Sequence, residues 1–127
     1  MAKQLTVVLE NKRGALAEVC TRLSERAVNI LGLWVPEQTG KAPVRIVVNR
    51  AEAAKKVFDD LGLEYFEEEV LAAHLSDRPG ALGKLTRKLA DHNVDVKYAY
   101  GSISRGAKRA LIILAVSDPE AAARVIK

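Results

Sequence analysis

Residues 10–30 read ENKRGALAEVCTRLSERAVNI, and residues 76–96 read SDRPGALGKLTRKLADHNVDV. Set one above the other, 66 residues apart, Gly14, Ala15 and Leu16 fall on Gly80, Ala81 and Leu82, while Leu23 falls on Leu89 and Val28 on Val94. Val19 over Leu85 and Ile30 over Val96 keep the apolar rhythm in step. Farther along the spacing becomes 68, with Glu52 over Glu120 and Val57 over Val125, which places a two-residue length difference in the intervening hairpin. Recurrence at a fixed period is what one supersecondary unit used twice looks like in sequence.

The first copy defines the unit. Leu5 to Leu9 is β-rich and apolar, and the turn-like NKRG leads into a segment with apolar residues at 16, 19, 20, 23 and 27. That spacing turns one face of a helix inward. Ile30 to Val35 predicts a second strand, PEQTGKAP a hairpin loop, and Val44 to Val48 a third strand. Asn49, with Glu52 three residues on, predicts a capping box for a second helix that turns Ala54, Val57, Phe58 and Leu61 inward. Gly62 suits its C-terminal stop. Leu63 to Phe66 then closes the unit as a fourth strand and leads almost directly into Val70 to Leu75, with no Gly/Pro/Ser linker between.

The second copy repeats the order with a helix from Ala81 and strands from Val96 and at Leu111 to Val116. Ser117, Pro119 and Glu120 supply helix-start chemistry, and no last strand follows. The expected fold class is α+β: two tandem ferredoxin-like βαββαβ units, the second lacking its last strand, with antiparallel sheets and helices on one face. The expected domains are residues 1–67 and 68–127. Both alternating faces are apolar in Leu111–Leu114 and in Leu31, Leu33, Trp34 and Val35, so a partner surface is expected over the second face, in a homodimer or higher oligomer.

Composition removes several function classes. The chain has 127 residues, 49% hydrophobic and 28% charged, with net charge +4. No stretch approaches the roughly 18 apolar residues of a membrane span, and MAKQLTVVLE opens as a strand rather than as a secretory signal. A cytoplasmic protein without membrane association is expected. One cysteine, Cys20, gives no internal disulfide, and Cys20 with His74 and His92 assembles no metal-ligand spacing. Each half carries ten basic and eight acidic residues, and no run of like charge forms a nucleic-acid-binding tail. The densest basic cluster, Arg105, Lys108 and Arg109, sits in a Gly/Ser-rich segment that reads as a hairpin tip.

No catalytic motif is present: there is no GxxxxGK[ST], GxSxG or H-E-x-x-H. Cys20 reads as a small thiol on the inward or boundary face of its helix, His74 and His92 as structural, and the Glu67–Glu69 run as solvated. Trp34, Tyr98 and Tyr100 could stack bases, but the third strands VRIVV and ALIILAV carry no aromatic residue, so an RNA-binding module is the weakest alternative. Neither an enzyme nor a cofactor is expected.

SDRPGAL followed after a helix by NVDV, and ENKRGAL followed by VNI, resemble the ACT domain, a small regulatory module of amino-acid metabolism. The likeness covers both halves. It implies amino-acid ligands bound where the loop between first strand and first helix meets the start of a neighbouring domain's second strand. The loop asparagine of the family matches Asn11 and is replaced by Asp77. The asparagine before the second strand matches Asn29 and is replaced by Asp95, and the loop proline is present as Pro79 and replaced by Arg13.

Physical chemistry suits such a site. The first turn of a helix exposes unpaired N–H groups and partial positive charge, so the backbone at Gly14–Leu16 and Gly80–Leu82 suits an α-carboxylate. The ammonium needs an amide oxygen or carboxylate. If the copies pair side by side, the Asn11 loop faces Asp95 and the Asp77 loop faces Asn29, giving each site one amide and one acid. The candidate ligand-binding residues are Asn11, Lys12, Arg13, Gly14, Ala15 and Leu16 with Asn29 and Ile30. In the second copy they are Ser76, Asp77, Arg78, Pro79, Gly80, Ala81 and Leu82 with Asp95 and Val96. The competing reading is that these residues only cap helices and shape turns. The resemblance implies a non-enzymatic amino-acid sensor acting on a partner such as a biosynthetic enzyme. The alternative is a structural or protein-interaction module that binds no free amino acid.

Overall fold

A computed structural model describes residues 2–102 and 108–126. The elements in chain order are β1 (Ala2–Glu10), α1 (Ala15–Glu25), β2 (Ile30–Trp34), β3 (Lys41–Val48), α2 (Ala51–Asp60), β4 (Tyr65–Ser76), α3 (Ala81–Asp91), β5 (Val96–Ser102), β6 (Arg109–Val116) and α4 (Pro119–Val125). They fall into two compact units, residues 3–68 and residues 69–126 with Ala2. The tip of the hairpin expected around Arg105 lies outside the described residues.

In the first unit the strand order is β2-β3-β1-β4. β1 and β2 each run antiparallel to β3, with Leu5 opposite Ile46 and Leu33 opposite Ile46 on its other side. The alternation of β1 and β3 sends Leu5, Val7, Leu9, Val44, Ile46 and Val48 to one face, where Val19 and Leu23 of α1 and Ala54, Val57 and Phe58 of α2 cover them. The second unit repeats this with order β4-β6-β5. Leu71, Ala73, Ile112 and Leu114 pack there under Leu85 and Leu89 of α3 and Ala122 of α4. The helical faces read from apolar spacing are thus the buried ones, giving the α+β antiparallel architecture with helices on one face.

Three helices end alike. Val28 N–H donates to the Leu23 carbonyl, Leu63 to Phe58 and Val94 to Leu89, each closing a Schellman turn. The left-handed residue that this turn requires is Gly62 (φ 68°) after α2, as expected, but Ala27 (φ 56°) after α1 and Asn93 (φ 61°) after α3. Ala27 is therefore not on the inward face of the helix. α1 ends at Glu25, Ala27 is exposed, and Val28 enters the core instead.

Two further expectations are corrected. Leu63–Phe66 and Val70–Leu75 are not separate strands: one twelve-residue strand, β4, serves both units. Asn49 does not cap α2. The helix begins after Arg50 with no side-chain cap, and the Asn49 Oδ1 accepts the Asn29 N–H at 2.8 Å while its own N–H donates to the Asn29 carbonyl. Ser117 does the same for Asp95 at 2.9 Å, which leaves Asp118 to cap α4 through the Ala121 N–H. The need to close the β2–β3 and β5–β6 ends outweighs the local helix-start pattern.

The apolar second face of β6 is not open to solvent. Ile113 and Ala115, opposite the helix-facing residues, are already buried. On the edge strand β2, by contrast, Leu31 and Leu33, with Val35 just beyond it, remain exposed.

Candidate functional site

The two loops that open α1 and α3 have the same backbone. Gly14 stands at φ 89°, ψ −13° and Gly80 at φ 93°, ψ −15°, a conformation that L side chains rarely adopt. Lys12 N–H donates to the Glu10 carbonyl and Ala15 N–H to the Lys12 carbonyl, and Arg78 with Ser76 and Ala81 with Arg78 repeat both bonds. Asn11 and Asp77 each tie a backbone N–H to the facing hairpin, at the carbonyls of Gly40 and Lys108. Arg13 in the place of Pro79 therefore leaves the turn unchanged. Neither α1 nor α3 has a side-chain cap, so the N–H groups of the two residues after Ala15 and after Ala81 lack the acceptor that Asp118 supplies in α4.

The side chains of the two loops differ. Asn11 Nδ2 donates to the Gln38 carbonyl at 2.6 Å, and Gln38 Nε2 donates to the Lys41 carbonyl, so Asn11 struts the β2–β3 hairpin. Among the described residues nothing hydrogen-bonds the Asp77 carboxylate. Lys12, Arg13, Ser76, Arg78 and Pro79 are exposed, as is Leu82, whereas Leu16 packs on the core.

Asn29 and Asp95 are exposed at the starts of β2 and β5, their backbones held by Asn49 and Ser117, with Ile30 and Val96 next in the strands. Within one unit they lie far from the loop. Lys41, opposite Glu10, begins β3, and Val48, opposite Ile30, ends it. At about 3.4 Å per residue the two ends are roughly 24 Å apart. One unit alone does not bring its loop and its strand start to one small molecule.

A cavity of about 540 Å³ in the first unit takes in Lys12 and Ala15 of the loop and the inward Leu61, together with Glu18, Lys41 and Glu64, which no sequence pattern marks. Glu18 and Lys41 belong to different elements, and no motif spacing joins them.

The strongest perturbed charges lie elsewhere. Lys55 of α2 contacts Glu67 and reaches Glu52 at 2.9 Å, and Lys3 reaches Glu67 at 3.1 Å. Hydrogen bonding to Glu67 and then to Glu52 holds the Lys55 ammonium well above its ordinary range. Lys55 and then Lys3 push the Glu67 carboxyl down. Burial, with Asp59 adding to it, raises the Tyr65 phenol. This network ties α2 to β1 and β4, so Glu67 is paired, while Glu68 and Glu69 are exposed. The Arg45 guanidinium lies 4.7 Å from the centre of the half-buried Trp34 ring. His92 ends α3 with its Nδ1 against the Lys88 carbonyl, and Cys20 is half-buried. Among the described residues no three His, Cys, Asp or Glu side chains are grouped to hold a metal ion, and no helix is long and apolar enough to cross a membrane.

Known proteins resemble this arrangement. A Bacteroides thetaiotaomicron protein of known structure is 27% identical, with TM-score 0.91 over 98% of this chain and 85% of that one. The ligand-free regulatory subunit of aspartate kinase from Thermus thermophilus superposes with TM-score 0.70 at 17% identity, over 98% of this chain and 90% of that one. The corresponding subunit from Thermus flavus gives 0.66 at 14%, over 98% and 89%. At these lower identities the likeness is one of fold. Among curated proteins no sequence matches. The ACT domain pair family matches residues 1–127 from end to end, and with the repeated unit and its paired glycine turns, this places the chain in that family.

Proposed function

We propose that the chain is a non-enzymatic sensor that binds an amino acid where ACT units meet and regulates a partner protein of amino-acid metabolism. Residues 1–67 and 68–127 serve as its two ACT units, acting in the cytoplasm as a homodimer or higher oligomer. The observation that carries this reading is the pair of superposable glycine turns, Gly14 and Gly80, each opening a helix without a side-chain cap. Such a turn offers backbone N–H groups and the positive end of a helix to a carboxylate. Because loop and strand start lie at opposite ends of one unit, the site is composite, with the Asn11 loop meeting Asp95 and the Asp77 loop meeting Asn29. The Thermus neighbours, described as regulatory subunits of aspartate kinase, agree with a biosynthetic enzyme as the target. A bound ligand changes the partner only if the bound and free states differ in their contacts with it.

Thermal unfolding against the twenty amino acids at millimolar concentration tests the reading. A ligand at 100 times its Kd stabilises the folded state by about 2.7 kcal/mol. Asp77→Ala removes that shift and is the cleaner variant, since Asn11→Ala also cuts the strut to Gln38. A well-folded protein that no amino acid stabilises refutes the sensor. The exposed Leu31, Leu33 and Val35 along edge strand β2 would then favour the interaction-module reading.

A further inference from the structure

Counted by structural unit, residues 3–68 carry ten basic and ten acidic residues, whereas residues 69–127 carry ten and six. The whole net charge of +4 therefore belongs to the second unit. The ion pairs are distributed the other way: those formed among the described residues all lie in the first unit. α3 concentrates the difference. Lys84, Arg87 and Lys88 are exposed, pointing away from the buried Leu85 and Leu89, and spacings of three and four residues put them on one face within about a turn. The corresponding residues of α1 are Glu18, Thr21 and Arg22, where Glu18 lies 3.9 Å from Arg22 as an i, i+4 pair. α3 thus sets like charges, Lys84 and Lys88, where α1 sets opposite ones, and it has no acidic residue in its first turn, where α1 has Glu18. Both differences weaken a helix, one by repulsion along its face and the other at the positive end of its dipole. Asp91, exposed one turn farther on, forms no ion pair with Arg87 or Lys88 among the described residues. Helix stability does not account for the stripe, and neither does the fold, since α1 occupies the same place in its unit without one.

We propose that the exposed face of α3 is a docking surface for an acidic segment of a partner protein, whose carboxylates, spaced over about one helical turn, meet Lys84, Arg87 and Lys88. The charge calls for an anionic partner, and the dimensions of the stripe select a protein. Lys84 and Lys88 are only about 6 Å apart along the helix axis, and Asp91 closes the stripe at one end. A row of phosphates would run onto that like charge, whereas two or three carboxylates fit short of it. α3 also carries no aromatic residue on which a base could stack. The surface occurs once per chain, because α1 has a mixed pair in its place. It takes from the proposed function only that a partner protein exists. It uses none of the loop or strand-start residues of the amino-acid site, and it serves a sensor and an interaction module alike.

Fluorescence anisotropy on the full chain at low salt tests the assignment with a labelled helical peptide of about fifteen residues, alanine-based, carrying Glu at i, i+3 and i+4, beside the same peptide with Gln in place of Glu. The Glu peptide is expected to bind once per chain and the Gln peptide at least tenfold more weakly. Lys84→Glu with Arg87→Thr gives α3 the residues of α1. That variant is expected to fold, to gain about 2 °C in Tm from the restored i, i+4 attraction, and to bind the Glu peptide at least tenfold more weakly. The reciprocal Glu18→Lys with Thr21→Arg is expected to add a second site on α1. Failure of the parent to bind the Glu peptide, or binding that the α3 double variant leaves unchanged, overturns the docking surface. Tighter binding of a DNA duplex through the same residues overturns it in favour of a nucleic acid, and a fall in the mass of the α3 double variant by light scattering overturns it in favour of a contact between copies. The sensor reading is decided separately, by whether amino acids raise the Tm of the parent and of the α3 double variant alike.

Discussion

Ala27 follows α1 at φ 56°, the left-handed position of a Schellman turn, where α2 has Gly62 and α3 has Asn93. Holding an L residue other than glycine there costs about 1–2 kcal/mol, because Cβ crowds the neighbouring carbonyl oxygen. Ala27→Gly removes that crowding and keeps the bonds that define the turn, Ala27 N–H to the Ser24 carbonyl and Val28 N–H to the Leu23 carbonyl, since both donors are backbone. The methyl group is exposed, so its loss leaves no cavity. Against the gain stands the greater freedom of glycine in the unfolded chain, about 0.4–1 kcal/mol. The net expectation is stabilisation of about 0.5–1 kcal/mol, read as a rise in Tm of about 2–5 °C for a protein of this size. Urea unfolding with an unchanged m value should give the same free energy. Asn93→Ala, which keeps the Cβ and removes the short polar side chain that lets asparagine tolerate this conformation, should destabilise by less than that amount. A neutral or destabilising Ala27→Gly beside a neutral Asn93→Ala would refute the argument that these turns carry backbone strain.

Phe58 is fully buried, with its ring centre 5.5 Å from that of Tyr65; Phe58→Ala should cost about 3–5 kcal/mol in chemical denaturation. Glu67 has its folded pKa lowered by Lys55 and Lys3, so the stability it contributes is present above its unfolded value of about 4.3 and is lost as pH falls through the lower folded value. Denaturant midpoints measured across the acid range should therefore fall less steeply for Glu67→Gln than for the parent. Lys55 shifts upward, so its contribution is complete below about pH 10.4 and fades only above that. Asp118→Ala removes the side-chain acceptor at the start of α4; a loss of about 1 kcal/mol is expected, together with faster amide exchange in residues 120–125.

The sequence by itself determined the repeat, the element order and the inward faces. Leu23 and Leu89, or Val57 and Phe58, follow the helical period, and that period depends on backbone geometry within a few residues. The glycine turns were legible for the same reason: Gly14 and Gly80 must each enter a helix from a conformation that side chains disfavour, and the surrounding letters repeat with them. The amide of Asn49 has two possible uses, a local helix start and the Asn29 N–H twenty residues away, and only the paired strands select the second. Ala27 continued the helical spacing on paper, yet the Schellman turn places Val28 in the core instead. Nothing local distinguishes the boundary between Phe66 and Val70 from a strand that runs straight through it as β4. The cavity lining was invisible for the most basic reason. Lys41, Glu64 and Glu18 belong to different elements, and residues far apart in the chain become neighbours only when strand pairing and helix packing bring them to one end of the sheet.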